Sequence, residues 1–251
     1  MTSRPTFAGR MEIRRYASRL AMGQDAAHDV AAFVRHKLTQ QAGVRLVFAA
    51  APSQQEMLDA LVREPGIDWR RVTAFHMDEY IGLPAGAPQR FGAWLTQHVF
   101  GRLPFGAVNV IDPEPDPAAC VAAYADRLAA APIDAVCLGI GVNGHLAFND
   151  PPVADFADAA AVKIVELDDI CRQQQVDDAC FARFADVPTH AVTLTIPRLL
   201  DAERLFCVVP GATKRDAVAR MLAAPLGEHC PATALRKHAD CVVYLDAESA
   251  P

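Results

Sequence analysis

"IDAVCLGIGVNGHLAFNDPP", Ile133–Pro152, sets an apolar run against a loop holding three glycines, a histidine and two closing prolines. The run Ile133–Ile140 reads as a buried strand, being short, apolar and bounded by turn formers. Glycines after a strand let the backbone turn tightly or approach a ligand. Such a unit belongs to an α/β sheet, where ligands gather beyond the carboxyl ends of the strands. His145 in that loop either moves protons near neutral pH or merely caps a turn.

The same alternation extends outward in both directions. Val30, Phe33, Val34 and Leu38 share a helical face, "VRLVFAAA" follows as a strand, and "PSQQEMLDALVRE" opens a helix with Pro52 and Ser53. "RVTAFHMDEY" is a strand, "QRFGAWLTQHVF" a helix, "AVNVI" a short strand, and Pro117–Ala130 a helix after the "DPEPDP" loop. Downstream, "AVKIVEL", "HAVTLTI", "RLFCVVP" and "CVVYL" read as strands, with the helix "TKRDAVARMLAA" between the last two. The pattern implies one Rossmann-like α/β domain over residues 1–251, with a mainly parallel sheet and helices on both faces. The first 20 residues are expected at its periphery.

Composition narrows the function. The 251 residues are 52% hydrophobic and 22% charged, which supports a sizeable core and excludes a disordered chain. A net charge of −6 with no basic block argues against nucleic-acid and membrane-surface partners. No apolar run reaches the roughly 18 residues of a membrane span, and the N-terminus lacks the apolar core of a secretory signal. Seven cysteines without a C-x-x-C, several of them inside strands (Cys137, Cys207, Cys241), suit buried thiols in a cytoplasmic protein. Homo-oligomerisation is left open.

Three strand ends carry unusual chemistry. Asp78 and Glu79 follow a strand directly; on extended backbone their side chains point oppositely, so one of them is expected to face a substrate. Gly139, Gly141 and Gly144 match the dinucleotide fingerprint, with Glu166 where a ribose-binding acid would stand. Pro151 and Pro152 would break the helix that this motif requires. In "CVVPGATKRDAV", a helix begins near Thr213–Lys214, where free N–H groups and a lysine attract phosphate. His229, Cys230, His238 and Cys241 crowd together as zinc ligands would, but His229 and Cys230 are adjacent and Cys241 begins an apolar strand. No metal is expected there.

"FHMDEYIGL" (Phe75–Leu83) together with "GIGVNGHLAFNDP" (Gly139–Pro151) resembles the glucosamine-6-phosphate deaminase (isomerase) family. Members carry M-D-E-Y-x-G-L after one strand and G-x-D-G-H-I-A-F-N-E-P after a later one. "LTIPRLLDAERLFCVVPGATKRDAV" (Leu194–Val218) is similar to the family's phosphate-contacting segment, and the likeness spans about residues 20–245. The resemblance implies conversion of glucosamine 6-phosphate and water to fructose 6-phosphate and ammonia, without a cofactor. By motif position Asp78 would move a proton between C2 and C1, and His145 would act on the ring oxygen. Asp150 would support that histidine, and Lys214, Ser53, Gln54 and Gly144 would bind substrate or its phosphate. Arg172 is the nearest candidate for a second phosphate-binding cation.

The chain also departs from the pattern. Asn143 stands where the family has aspartate, and an amide cannot stabilise an imidazolium by charge; in serine proteases that exchange costs about 10⁴ in rate. Asp150 is one methylene shorter than the family's glutamate. "AAAPSQQ" (Ala49–Gln55) replaces a glycine- and threonine-rich phosphate loop. Three alternatives follow: a 6-phosphogluconolactonase-like hydrolase with His145 as base, a non-catalytic sugar-phosphate-binding protein, and a dinucleotide-dependent oxidoreductase.

Overall fold

Along the central strands, alternate side chains enter two different cores. Val44, Leu46 and Phe48 pack into one while Val47 packs into the other; Phe206 and Val208 oppose Leu205, Cys207 and Val209 in the same way. A strand apolar on both faces must be covered on both, which is the condition for a buried parallel sheet. The computed structural model, which describes residues 6–251, satisfies it.

The strands are β1 (Thr6–Ala8), β2 (Met11–Arg15), β3 (Val44–Phe48), β4 (Val72–His76), β5 (Asp78–Tyr80), β6 (Ala107–Asn109), β7 (Ala135–Leu138), β8 (Val162–Glu166), β9 (His190–Leu194), β10 (Arg204–Val209) and β11 (Cys241–Leu245). Eight of them form one sheet in the order β1-β2-β11-β10-β7-β3-β4-β6, parallel except for the β1–β2 hairpin. The helices are α1 (Arg19–Gln40), α2 (Gln55–Leu61), α3 (Phe91–Leu95), α4 (Pro117–Ala129), α5 (Asp169–Asp177), α6 (Ile196–Leu200) and α7 (Arg215–Ala223). The buried residues of α1, α2 and α3 join the first core, and those of α4, α6 and α7 the second. No helix among the described residues is long and apolar enough to cross a membrane.

From β3 the chain moves outward to β4 and β6, then returns to β7 on the other side of β3. That reversal leaves a crevice between the loops that follow β3 and β7, where a ligand is expected in an open α/β sheet.

The structure corrects the sequence reading in four places. "RVTAFHMDEY" is not one strand: the chain leaves the main sheet at Met77, and β5 pairs antiparallel with β9, Asp78 opposite Thr193. "AVKIVEL" and "HAVTLTI" likewise join this separate sheet, ordered β5-β9-β8, rather than the parallel one. Helix α5 was not anticipated, because "DICRQQQVD" has no apolar period; its signal was Asp168, whose carboxylate accepts the Ile170 N–H at 2.8 Å as an N-cap. Finally, the N-terminal segment contributes to the sheet. Met11 and Ile13 of β2 are buried against β11, while residues 1–5 lie outside the described residues.

The end of β4, which aims the following carboxylates, is fixed by one side chain. The buried Tyr124 hydroxyl of α4 accepts the His76 N–H at 3.0 Å and donates to the His76 carbonyl at 2.8 Å. The substitution Tyr124→Phe strands both groups and should cost about 1–3 kcal/mol, measurable by urea denaturation.

Candidate active site

The crevice is walled by Ala49–Gln54 after β3, Met77 and Asp78 after β4, Gly139–Gly141 and His145 after β7, and Lys214 after β10. Phe91, Ala147 and Phe148 close one side, and Gln174, Gln175, Asp178 and Cys180 another. Four neighbouring strands thus send their carboxyl ends to one place.

Asp78 and Glu79 diverge as extended backbone requires. Asp78 lines the pocket, whereas Glu79 turns inward and accepts N–H groups from Tyr80 (2.9 Å), Phe91 (3.0 Å) and Gly92 (2.9 Å), anchoring the start of α3. Burial pushes the Asp78 carboxyl well above the usual carboxylate range, and the charges of Glu79 and Asp150 push it the same way. His76, two residues earlier, is not a competing proton carrier. Its Nε2 accepts the Ile111 N–H at 2.8 Å, and burial lowers its pKa to about 3, so the ring stays neutral.

His145 stands over Gly141, close enough that a Cβ built there would lie 2.1 Å from the ring. Its Nδ1 is 2.8 Å from Asp150 Oδ1, although the N–H direction falls short of hydrogen-bond alignment. Asn143 completes the arrangement. Its Oδ1 accepts the His145 backbone N–H at 3.0 Å, which fixes the amide so that Nδ2 donates to Asp150 Oδ1 at 2.8 Å. Burial opposes the Asp150 charge, but His145, Asn143 and Cys171 outweigh it and hold the carboxyl below its usual range. Two buried carboxyls are thereby pushed in opposite directions, the environment that separates proton-transfer roles.

The loop is held from several sides. Asn149 Nδ2 donates to the carbonyls of Leu146 and Leu194, both at 2.8 Å, and Phe148 N–H donates to Thr193 Oγ1 at 3.1 Å. Gln174 accepts the Val142 N–H at 2.9 Å, tying α5 to the same loop. Ala147 adopts φ 49°, a left-handed conformation uncommon outside glycine and often found at functional sites.

The expected phosphate groups divide. Ser53, Gln54 and Lys214 line the pocket, and burial lowers the Lys214 pKa, Asp178 partly opposing that. The Gln54 amide donates to the Val208 carbonyl at 3.1 Å, bridging β3's loop to β10. Gly144 is corrected: its N–H closes the turn onto Gly141 O at 2.9 Å, and its positive φ and close approach to Cys230 make it structural. Arg172 is also corrected. It points away, donating to the carbonyls of Phe184 and Val187 and lying 4.1 Å from the Phe184 ring centre. Cys171, Gln174, Gln175 and Asp178 escaped the sequence reading because they sit on the unexpected α5 and its end. The crowded histidines and cysteines further on have other surroundings: His238 pairs with Ala202 O and the Asp240 N–H, and Cys230 packs on Gly144.

Since Gly141 does not have a positive φ, the strain of Gly141→Ala comes from the His145 ring, whose atoms would lie 2.1–2.3 Å from the new Cβ. The substitution should leave the fold intact by circular dichroism while lowering kcat about a hundredfold, as a 1 Å misplacement of a catalytic group does.

Residues 17–244 match the family model described as glucosamine-6-phosphate isomerases/6-phosphogluconolactonase. The chain is 34% identical over 189 residues to a glucosamine-6-phosphate deaminase of Exiguobacterium sibiricum, covering 75% of this chain and 73% of that one. It is 30% identical over 234 residues to one from Pseudarthrobacter chlorophenolicus, covering 91% and 87%. In fold it is similar to a solved monomeric glucosamine-6-phosphate deaminase (TM-score 0.85, 24% identity, 94% of this chain and 98% of that one). It is also similar to the 6-phosphogluconolactonase of Thermotoga maritima (TM-score 0.77, 17% identity, 94% and 99%). With a family model matched over residues 17–244 and relatives at 30–34% identity along three-quarters or more of the chain, the chain belongs to the glucosamine-6-phosphate isomerase/6-phosphogluconolactonase family.

Proposed function

We propose that this chain is an enzyme that isomerises and deaminates an aminosugar phosphate, glucosamine 6-phosphate and water giving fructose 6-phosphate and ammonia. The observation that carries this reading is that Asp78 and His145 open into one pocket, His145 backed by the fully buried Asp150, while Glu79 is turned away. Ring opening needs a group that gives and takes a proton at the ring oxygen, and His145 supplies it. Asp150 holds that imidazole in place, and Asn143 in turn holds Asp150. Isomerisation then needs a single base that takes the C2 proton and returns it at C1, and a carboxylate held away from water suits that transfer. The resulting ketimine is hydrolysed, water supplying the ketone oxygen and nitrogen leaving as ammonia. Lys214, Ser53 and the start of the turn after β3 hold the phosphate. Relatives named glucosamine-6-phosphate deaminase support this reading over lactone hydrolysis, as does the buried base, which lactone hydrolysis by His145 alone does not require.

The test is ammonia and fructose 6-phosphate release from glucosamine 6-phosphate, with 6-phosphogluconolactone as the competing substrate. Asp78→Asn should lower kcat about 10²–10⁴-fold; turnover that survives it would sink the mechanism. Because only ionised Asp78 can act as base, its raised pKa places the acid limb of kcat/KM above the ordinary carboxylate range. The same shift predicts a stability signature. A carboxyl whose folded pKa is raised loses stability as pH climbs from its unfolded value, so Asp78→Asn should melt higher than wild type at about pH 8. That gap should close as the pH falls to where wild-type Asp78 is protonated.

Asn143 is a matched partner here rather than a handicap, since its amide donates to the carboxylate that contacts His145. Asn143→Asp would set a second carboxylate against Asp150 and force one of them to hold a proton. The kcat/KM at neutral pH should then fall roughly tenfold or more, a pKa unit being tenfold in protonation; a rise would contradict this account.

A further inference from the structure

Two side-chain atoms at the heart of the site have no hydrogen-bond partner despite complete burial: His145 Nδ1 and Asp150 Oδ2. The residues themselves are 9% and 0% exposed. A buried polar atom without a hydrogen-bond partner is costly, and a role in binding a ligand is one reason for it to persist. The third member of the cluster is Cys171 of α5, also 0% exposed and absent from the mechanism above. One donor atom each from His145, Asp150 and Cys171 lie within 4.8 Å of one another, the convergent group of such side chains among the described residues.

We propose that His145, Asp150 and Cys171 form a binding site for a soft divalent cation of the zinc type, and that occupancy switches the enzyme off. Imidazole nitrogen, carboxylate oxygen and thiolate sulfur are the donors zinc takes, three protein ligands with a fourth position open being the arrangement of accessible sites. A tetrahedral zinc holds such donors about 3.4–3.6 Å apart, given bonds of about 2.0–2.3 Å, so side-chain rotation must close the cluster slightly. Of the three, His145 is the residue that lines the pocket. The chemistry also selects among cations. Magnesium and calcium prefer all-oxygen sets and do not compete for a thiolate. On binding, the metal displaces the Cys171 thiol proton to solvent and takes the imidazole lone pair. Bound this way, His145 can no longer exchange a proton with a sugar ring oxygen.

Only the inhibition rests on the function proposed above; the binding does not, and the two are measured separately. The metal-stripped full-length protein is titrated calorimetrically with zinc, and with magnesium as control, and its cobalt complex is read by absorbance. Wild type should take up zinc at one site and show a thiolate-to-cobalt charge-transfer band. Cys171→Ser should lose the band and bind zinc about 100-fold more weakly or worse, since supporting groups around metal ligands alone are worth 10–100-fold. Asp150→Asn gives an independent variant should the serine protein fail to fold, and it too should weaken binding. In ammonia-release assays, zinc at one equivalent should stop wild type, and a chelator should restore it. Equal zinc affinity and an unchanged cobalt spectrum in both variants would overturn the site, because the other six cysteines would then be responsible. Zinc uptake that depends on Cys171 in a protein that deaminates no aminosugar would uphold the site and overturn the proposed function instead.

Discussion

Everything distinctive about the pocket depends on the carboxylate of Asp150 and what surrounds it. A fully buried carboxylate is stable only if charges or donors replace the water it has lost. One of its oxygens receives the Asn143 amide and sits against the His145 ring, each at 2.8 Å. That contact sets the ring over Gly141, where only a glycine leaves room. The loop can be this tight because Asn149 and Phe148 bind it to β9, a strand of the small antiparallel sheet. That sheet also carries Asp78, through the pairing of β5 with β9. Base and histidine are therefore positioned by one and the same strand, although 67 residues of sequence separate them (145 − 78).

The carboxyls of Asp78 and Asp150 feel opposite fields. Asp150 lies among groups that favour its charge, whereas Asp78 has only burial and like charges around it. Such an arrangement is unfavourable for stability at neutral pH and useful for proton transfer, the usual conflict at a catalytic site. Glu79, next to Asp78, also has its pKa raised by burial, but it accepts three backbone N–H groups, from Tyr80 and from the start of α3, that partly offset the shift. Adjacent acids in the sequence thus end with unrelated tasks, one facing the pocket and one holding the scaffold.

Much of the fold was legible because its signals are local. Near-continuous apolarity in "VRLVF" and "RLFCVV" marks strands covered on both faces, and the glycines of the Gly139–Gly144 loop mark the end of another. Asp78, His145 and Lys214 stand out because each lies in the turn or loop that follows a strand, whereas Asp150 is marked only by the family resemblance. Helix α5 left no such mark, since it has little apolar period: Gln174 and Gln175 face the site, and Cys171 alone of its buried residues joins a core. The strand break at Met77 was equally silent, because an extended chain looks the same whichever sheet it joins.

By itself, then, the sequence determined the α/β class, the family resemblance and the chemistry of the strand ends, all of which follow from local pattern and residue type. Only the tertiary structure decided which groups meet. It turned Glu79 and Arg172 away, gave Gly144 to the turn, made Asn143 a donor to Asp150, and brought Cys171 beside His145. Those outcomes depend on packing between segments far apart in the chain, and on the cost of burying a charge without a partner, neither of which any short stretch of sequence encodes.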